Sequence, residues 1–445
     1  MRRLFMTLLL VVCTVPLRGQ TATPPLQVPY TQFRLANGLT VVLHQDTSVP
    51  VVTVNVWYHV GSANEKPGRT GFAHLFEHLM FEGSKNVKEG VFDTLLESAG
   101  GNNNGSTNND RTNYFEDVPS NALELALYLE SDRMAYLLDT MTPQRVDGQR
   151  DVVKNERRQS YENQPYGMAS IEIDKMLWPA NHPYNWPTIG YMEDLTAASH
   201  SDVVEFFKKY YVPNNASLVI AGDIDIPRTK TLVEKWFNEI PRGAEVEPIA
   251  PPAAILTGVQ KKTLTDRVSL PRLYLTWLSP RVYAPGDAAL DIVSSVLTGG
   301  KNSRLYKRLV YETQMAQDVT AFQQSAAIGS EFQIIATARR GHTAAELQKV
   351  IDEELEKLRR EPPDSREVQR AINQVEASFY RRMERVSNKA DSLNGYYVAG
   401  GGPDYFAEDL ARYTSLSPSD VQAAAIRWLP ADRRVELVVE PEVKK

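Results

Sequence analysis

The chain of 445 residues contains one cysteine, seven histidines and no excess of positive charge. Each scarcity closes off a class of chemistry. Cys13 lies within an apolar run near the N-terminus, so a mature chain without that run would have neither disulfides nor thiolate metal ligands. Any metal site must then be built from His, Asp and Glu. The 49 basic and 55 acidic residues leave a net charge of -6, with no basic block to attract nucleic acid or an anionic membrane.

The N-terminus "MRRLFMTLLLVVCTVPLRGQTATPP" places two arginines before an apolar run from Leu4 to Leu17, followed by small and polar residues. That is the layout of a secretory signal, too short for a comfortable membrane span, and it implies a periplasmic or secreted protein. A lipoprotein signal needs a small residue just before the cysteine, and Val12 occupies that place.

A hydrophobic content of 42% over this length exceeds one core. "FRLANGLTVVLHQD" reads as a hairpin about Asn37-Gly38, "VVTVNVWYHVGS" as a strand and "NALELALYLESDRMAYLL" as a helix. The Pro-rich stretch Ala244 to Gly258 reads as a linker between two domain-sized halves. The halves resemble each other. "SDVVEFFKKYYVPNNASLVIAGD" from Ser201 and "SDVQAAAIRWLPADRRVELVVEP" from Ser419 each begin with Ser-Asp-Val opening a helix and continue to an aromatic, a proline and an apolar strand. "LPRLYLTWLSP" pairs likewise with "VVTVNVWYHVGS". The expected organisation is a duplicated α+β unit: residues 1–20 a signal peptide, 21–243 an N-terminal domain, 244–258 a linker and 259–445 a homologous C-terminal domain.

"TGFAHLFEHLMF" carries the chemistry. Phe72, Leu75, Phe76, Leu79 and Met80 make one broad apolar face of what reads as the first long helix, while His74, Glu77 and His78 share the other side. Histidines at i and i+4 can reach one ion, with Glu77 placed beside them as a base for water. Zinc needs a third protein ligand. In "RDVVKNERRQSYEN", Glu156 follows Val152 by four and Val153 by three, which puts it on the apolar face, with Arg157 and Arg158 pointing elsewhere. Glu156 is the expected third ligand and Glu162 its rival.

"HLFEH" followed by "VVKNERRQ", together with "FRLANGLTVVL", "NNNGSTNNDRTNYFEDVP", "HPYNWPTIG" and "GGKNSRLYKRL" in order, resembles the inverted-zincin metallopeptidases of the pitrilysin and insulysin family, including mitochondrial processing peptidase beta subunits. The resemblance implies two duplicated α/β-sandwich domains forming half of a clamshell chamber. It also implies zinc held by His74, His78 and Glu156, with Glu77 as base. The activity implied is endopeptidase cleavage of short unfolded peptides. "GNNNGSTNNDRTNYFE" would be an edge strand that binds substrate backbone, with Asn104 and Gly105 at the substrate-binding positions. Gly105 and Ser106 stand where the family commonly has Ala and an aromatic.

Complete family members carry an Arg and, seven residues later, a Tyr after the "SRL" segment, and these hold substrate near the metal. Here that register places Val310 and Gln317. The resemblance therefore implies a heterodimer with a homologous subunit that lacks His-x-x-Glu-His and supplies the Arg/Tyr clamp. A second register, with Arg304 and Tyr311 as the clamp, would make a self-sufficient homodimer. A non-catalytic structural subunit is the remaining alternative.

Overall fold

The computed structural model describes residues 26–442; the expected signal peptide lies outside the described residues. In chain order the first part contains β1 (Thr31–Arg34), β2 (Thr40–Gln45), β3 (Val51–Tyr58), α1 (Phe72–Leu79), α2 (Val91–Ser98), β4 (Asn102–Thr107), β5 (Thr112–Pro119) and α3 (Leu123–Tyr136). There follow α4 (Pro143–Arg157), α5 (Ala169–Leu177), α6 (Met192–Ala197), α7 (His200–Tyr210), β6 (Ala216–Gly222) and α8 (Ile226–Phe237). The second part contains β7 (Gln260–Asp266), β8 (Arg272–Ser279), α9 (Asp287–Thr298), β9 (Ala316–Gln324), β10 (Ser330–Ala338), α10 (Ala344–Arg360), α11 (Ser365–Arg382), α12 (Val386–Gly395), α13 (Phe406–Thr414), α14 (Pro418–Trp428) and β11 (Val435–Pro441). Residues 241–259 carry neither helix nor strand.

The strands form two sheets, β1-β2-β6-β3-β5-β4 and β7-β11-β8-β10-β9. Without the β1 hairpin strand, the first sheet has the plan of the second. β2 runs parallel to β6 as β7 does to β11, and every other neighbouring pair in both is antiparallel. The overall class is α+β, built as a duplication. The matched "SDV" helices are capped alike, although two residues earlier than the sequence suggests. Ser199 and Ser417 are the caps, each paired reciprocally with Asp202 or Asp420, so Ser201 and Ser419 sit inside the first turn.

The β1–β2 turn shows how local and distant demands coincide. Gly38 supplies a left-handed φ of 96°, while the Asn37 amide donates to the Phe237 and Ile240 carbonyls at 2.8 and 2.9 Å, tying the hairpin to the end of α8.

Each sheet is packed on one side by helices of its own domain and on the other by a helix of its neighbour. α12 lies across β3 and β6, and α5 lies across β8 and β11. Polar contacts fix both dockings: Asn394 bridges the Ser217 hydroxyl (2.7 Å) and the Asn55 carbonyl (3.1 Å), and the Tyr166 hydroxyl donates to the Leu270 carbonyl at 2.8 Å. This exchange of helices joins the domains and leaves a cleft between them. No helix among the described residues is long and apolar enough to cross a membrane.

Candidate active site

α1 is short, eight residues rather than the long helix its pattern suggests: it ends at Leu79 with Met80 as its cap, and the chain then turns through Gly83, whose φ is 84°. Its N-terminus begins at Gly71, which has a left-handed φ of 87° and no side chain with which to cap. The buried Glu65 carboxylate does that work instead, accepting from the Gly71 and Ala73 amides at 2.9 and 2.8 Å. The apolar face is fixed by Phe76, whose ring lies 5.3 Å from Phe206 and 4.9 Å from Tyr211, and by the Tyr114 hydroxyl, which donates to the Phe76 carbonyl at 3.2 Å. A helix held at its end and along its back presents His74, Glu77 and His78 in fixed directions. Glu65→Ala would leave two amides unpaired in a buried place, so it should destabilise the protein by about 1–3 kcal/mol. Denaturant unfolding measures this, and an unchanged midpoint would remove Glu65 from that role.

α4 runs beside α1 and opens with the Thr142 hydroxyl accepting from the Arg145 amide at 3.3 Å, followed by Pro143. It brings Glu156 Oε2 to 3.2 Å from His78 Nε2 and 3.7 Å from His74 Nε2. The imidazole rings stand 4.8 Å apart at 79°. Burial, and then the neighbouring His78, lowers the His74 pKa to about 4, so this imidazole is neutral near pH 7 with a lone pair to offer. Ligand atoms about 2.0–2.2 Å from a tetrahedral zinc ion lie roughly 3.3–3.6 Å from each other. The two Glu156 distances, 3.2 and 3.7 Å, come near that spacing and all three donors lie within 4.8 Å of one another, so the set suits such an ion, and among the described residues no other trio of His, Cys, Asp or Glu converges in this way.

The reason Glu156 stands here differs from the sequence argument. Val152 is 44% exposed, and Val146 and Val153 carry the buried face of α4. Glu156 therefore borders the cleft, with a side chain 40% exposed, and is not buried among apolar groups. Arg157 is the inward residue, donating to the Gly190 carbonyl at 2.8 Å and lying 3.3 Å from Glu162. Glu162 sits on a π-helical turn spanning Arg158–Glu162 and is occupied by Arg157, away from the histidines.

Glu77 points toward β4. A Cβ placed on Gly105 would lie 3.2 Å from Glu77 Cγ and 3.2 Å from Tyr114, so the missing side chain at 105 gives Glu77 its room. Burial raises the Glu77 pKa, opposed by a hydrogen bond from Thr107 and by the charges of His78 and Arg111. β4 is an edge strand paired only with β5. Asn104 is exposed on it, its side-chain oxygen accepting from the Gly105 amide at 2.8 Å. Arg111 donates to the Ser106 carbonyl at 2.8 Å and lies 5.1 Å from the Trp57 ring, bracing the strand.

The clamp positions in the second domain lie elsewhere. Val310 packs half-buried on that domain's own core, and Gln317 is exposed. Arg304 is held by Glu367 at 2.6 and 2.9 Å, and Tyr311 is 76% exposed. None of the four lines the cleft of about 600 Å³ that contains His74 and Glu156. The second domain's counterpart of α1 in the sheet order, α9, carries no histidine.

Sequence reasoning missed Glu65, Thr107, Arg111 and Tyr114. No spacing marks them, because each meets α1 or β4 only once the sheet has formed.

A duplicated α+β protein with a His-x-x-Glu-His helix and a carboxylate from a second helix has the frame of a two-domain metallopeptidase. The profile described as "Insulinase (Peptidase family M16)" matches residues 40–173, and "Peptidase M16 inactive domain" matches residues 197–375. The chain belongs to peptidase family M16, the family that includes the pitrilysin-like and insulysin-like enzymes. It is 29% identical over 452 aligned positions to the zinc protease PqqE of Helicobacter pylori, covering 98% of this chain and 97% of that one. A crystal structure of a protease from Helicobacter pylori superimposes with a TM-score of 0.85 at 28% identity, covering 93% of this chain and all of the other. A probable mitochondrial-processing peptidase subunit beta of Arabidopsis thaliana is 24% identical over 89% of this chain and 75% of its own length.

Proposed function

We propose that this chain is a zinc endopeptidase of the periplasm or extracellular space, exported by residues 1–20, and the catalytic subunit of a heterodimer that cuts short unfolded peptides. The observation that supports this reading is the convergence of His74, His78 and Glu156, with Glu77 beside them. His74, His78 and Glu156 would hold a zinc ion, which when bound would supply Lewis acidity for the scissile carbonyl and for water. Glu77 takes a proton from the attacking water and returns it to the leaving amine, so no covalent enzyme intermediate is required. The edge of β4 binds the peptide by strand addition, with Asn104 and Gly105 along it, and orients the main chain without demanding one sequence. A purely structural subunit would have no need of this ligand set and base.

An extended chain can lie along a strand edge in a cleft; a folded surface cannot. The expected result of a competition digestion is that a disordered peptide disappears while a stably folded protein survives, and that chelation of the metal stops the reaction. Equal rates on both substrates, or full activity in His74→Ala/His78→Ala, would refute the proposal.

A further inference from the structure

β4 has little of its own to hold it in place. Its six residues, Asn102–Thr107, include no apolar side chain, and among the described residues only β5 pairs with it. Burial in the core therefore cannot fix the strand, and an edge paired on one side is the part of a sheet that opens most readily. Its turn to β5, residues 108–111, is tied instead. Within the turn the Asn108 side-chain oxygen accepts from the Asp110 and Arg111 amides at 2.8 and 2.9 Å. From the same domain the Ser62 and Ala63 amides donate to the Asn108 and Asn109 carbonyls at 3.2 and 2.8 Å, an approach open only because a Cβ on Gly61 would lie 2.4 Å from the Asn108 carbonyl oxygen.

A third tie crosses to the other domain. Asp110 Oδ1 accepts from the Tyr184 hydroxyl, its Oδ2 accepts from the Ala327 amide at 2.9 Å, and the Ile328 amide donates to the same Tyr184 oxygen at 3.2 Å. Ala327 and Ile328 form part of the turn between β9 and β10, so the edge hairpins of the two sheets share one carboxylate. The surroundings are shaped for this contact. Tyr184 is buried with its ring edge-on to Trp178 at 5.4 Å and its amide donating to His182 Nδ1 at 3.1 Å, which sets the direction of the hydroxyl. A Cβ on Gly329 would lie 2.8 Å from Trp178, so only glycine lets the β9–β10 turn come this near. Burial raises the Asp110 pKa, and the hydrogen bonds from Tyr184 and Ala327, then the charge of Arg111, oppose it. Part of what keeps this carboxylate ionised comes from the second domain.

We propose that Asp110 is a positioning residue for peptide binding: through Tyr184 and the β9–β10 turn it holds the free edge of β4 where an incoming strand can pair with it. It acts through the strand and not by contact with the peptide. This rests on the proposed peptide path along β4. Fixing the edge in advance spares the binding step the cost of ordering it, and because half of the tie belongs to the second domain, peptide binding and closure of the tie favour each other.

Tie and peptide can be read separately. In zinc-loaded, full-chain Glu77→Gln, amide hydrogen exchange and the affinity for a pool of random, fluorescently labelled decapeptides are measured before and after adding Asp110→Ala or Tyr184→Phe. Each addition should speed exchange at least about tenfold both in residues 102–111 and in residues 325–329, while α1 keeps its protection. Peptide affinity should fall at least about tenfold, whereas acetohydroxamic acid, a metal ligand too small to lie along a strand, should bind as before. Asp110→Asn keeps an oxygen for the Ala327 amide and should recover part of the loss, and Asp110→Ala with Tyr184→Phe together should cost little more than either alone, since both open one contact. A merely structural role would lower the unfolding midpoint and leave the ratio of peptide to hydroxamate affinity where it was, and that result would overturn the proposal. So would unchanged exchange, faster exchange in only one of the two turns, or a parent that binds no peptide. Equal peptide affinity in every variant, with normal cleavage by the unsubstituted enzyme, would remove the positioning role and leave the peptidase reading intact. If exchange and affinity change as expected but the unsubstituted enzyme cuts none of the peptides, Asp110 keeps its role and the peptidase reading fails.

Discussion

Glu77→Gln should leave the metal content of the protein unchanged and reduce peptide turnover by about a hundredfold to ten-thousandfold. The size follows from what one positioned general base typically contributes. The separation of effects follows from geometry. The converging donors are His74, His78 and Glu156, whereas Glu77 lies against Gly105 on the β4 side of α1. Gln keeps the shape of Glu and can still receive a hydrogen bond from Thr107, so the strand edge and helix should stay in place, but the amide cannot accept a proton. Zinc analysis of the purified variant and initial rates on a quenched fluorescent peptide measure the two effects independently. In contrast, Glu156→Gln removes a charged donor and should weaken zinc binding itself. Unimpaired turnover in Glu77→Gln would take this residue out of the reaction.

The difference between these two glutamates also marks what could be read from one dimension. His74, Glu77 and His78 occupy one helical turn, so their common direction is a property of local geometry and was legible from spacing. Glu156 was identifiable by residue type and by resemblance, but the packing argument for it relied on Val152, which is exposed. In α4 the inward side chain is Arg157, an inversion that apolar periodicity cannot express because its partner is the Gly190 carbonyl. Glu65 and Tyr114 were illegible for a similar reason: the first caps a helix across a loop and the second reaches Phe76 from 38 residues away. The duplication was visible as matched segments and reappears as one strand plan used twice. The exchange of α5 and α12 was not, since an amphipathic helix records that it is covered but not by which sheet.

A second, homologous subunit should raise the activity of this chain by about a hundredfold or more. The expectation rests on four residues. Val310 and Gln317 stand at the clamp positions of the favoured register; one packs on its own domain and the other is exposed without lining the cleft. In the competing register, Arg304 is already committed to both oxygens of Glu367, and Tyr311 lies on the surface away from the cleft. On the proposed reading, substrate lying along β4 would receive no Arg/Tyr clamp from these four residues, and loss of such oriented contacts costs on the order of a hundredfold in rate. A subunit of similar size, without His-x-x-Glu-His but with Arg and Tyr in the favoured register, would close the cleft and supply them. The checks are copurification and the rise in kcat/KM on mixing, which should vanish when the partner's Arg and Tyr become Val and Gln. Full activity of this chain alone, lost on Arg304→Ala or Tyr311→Phe, would instead mean that Arg304 leaves Glu367 in a homodimer and that the cleft is completed by a second copy.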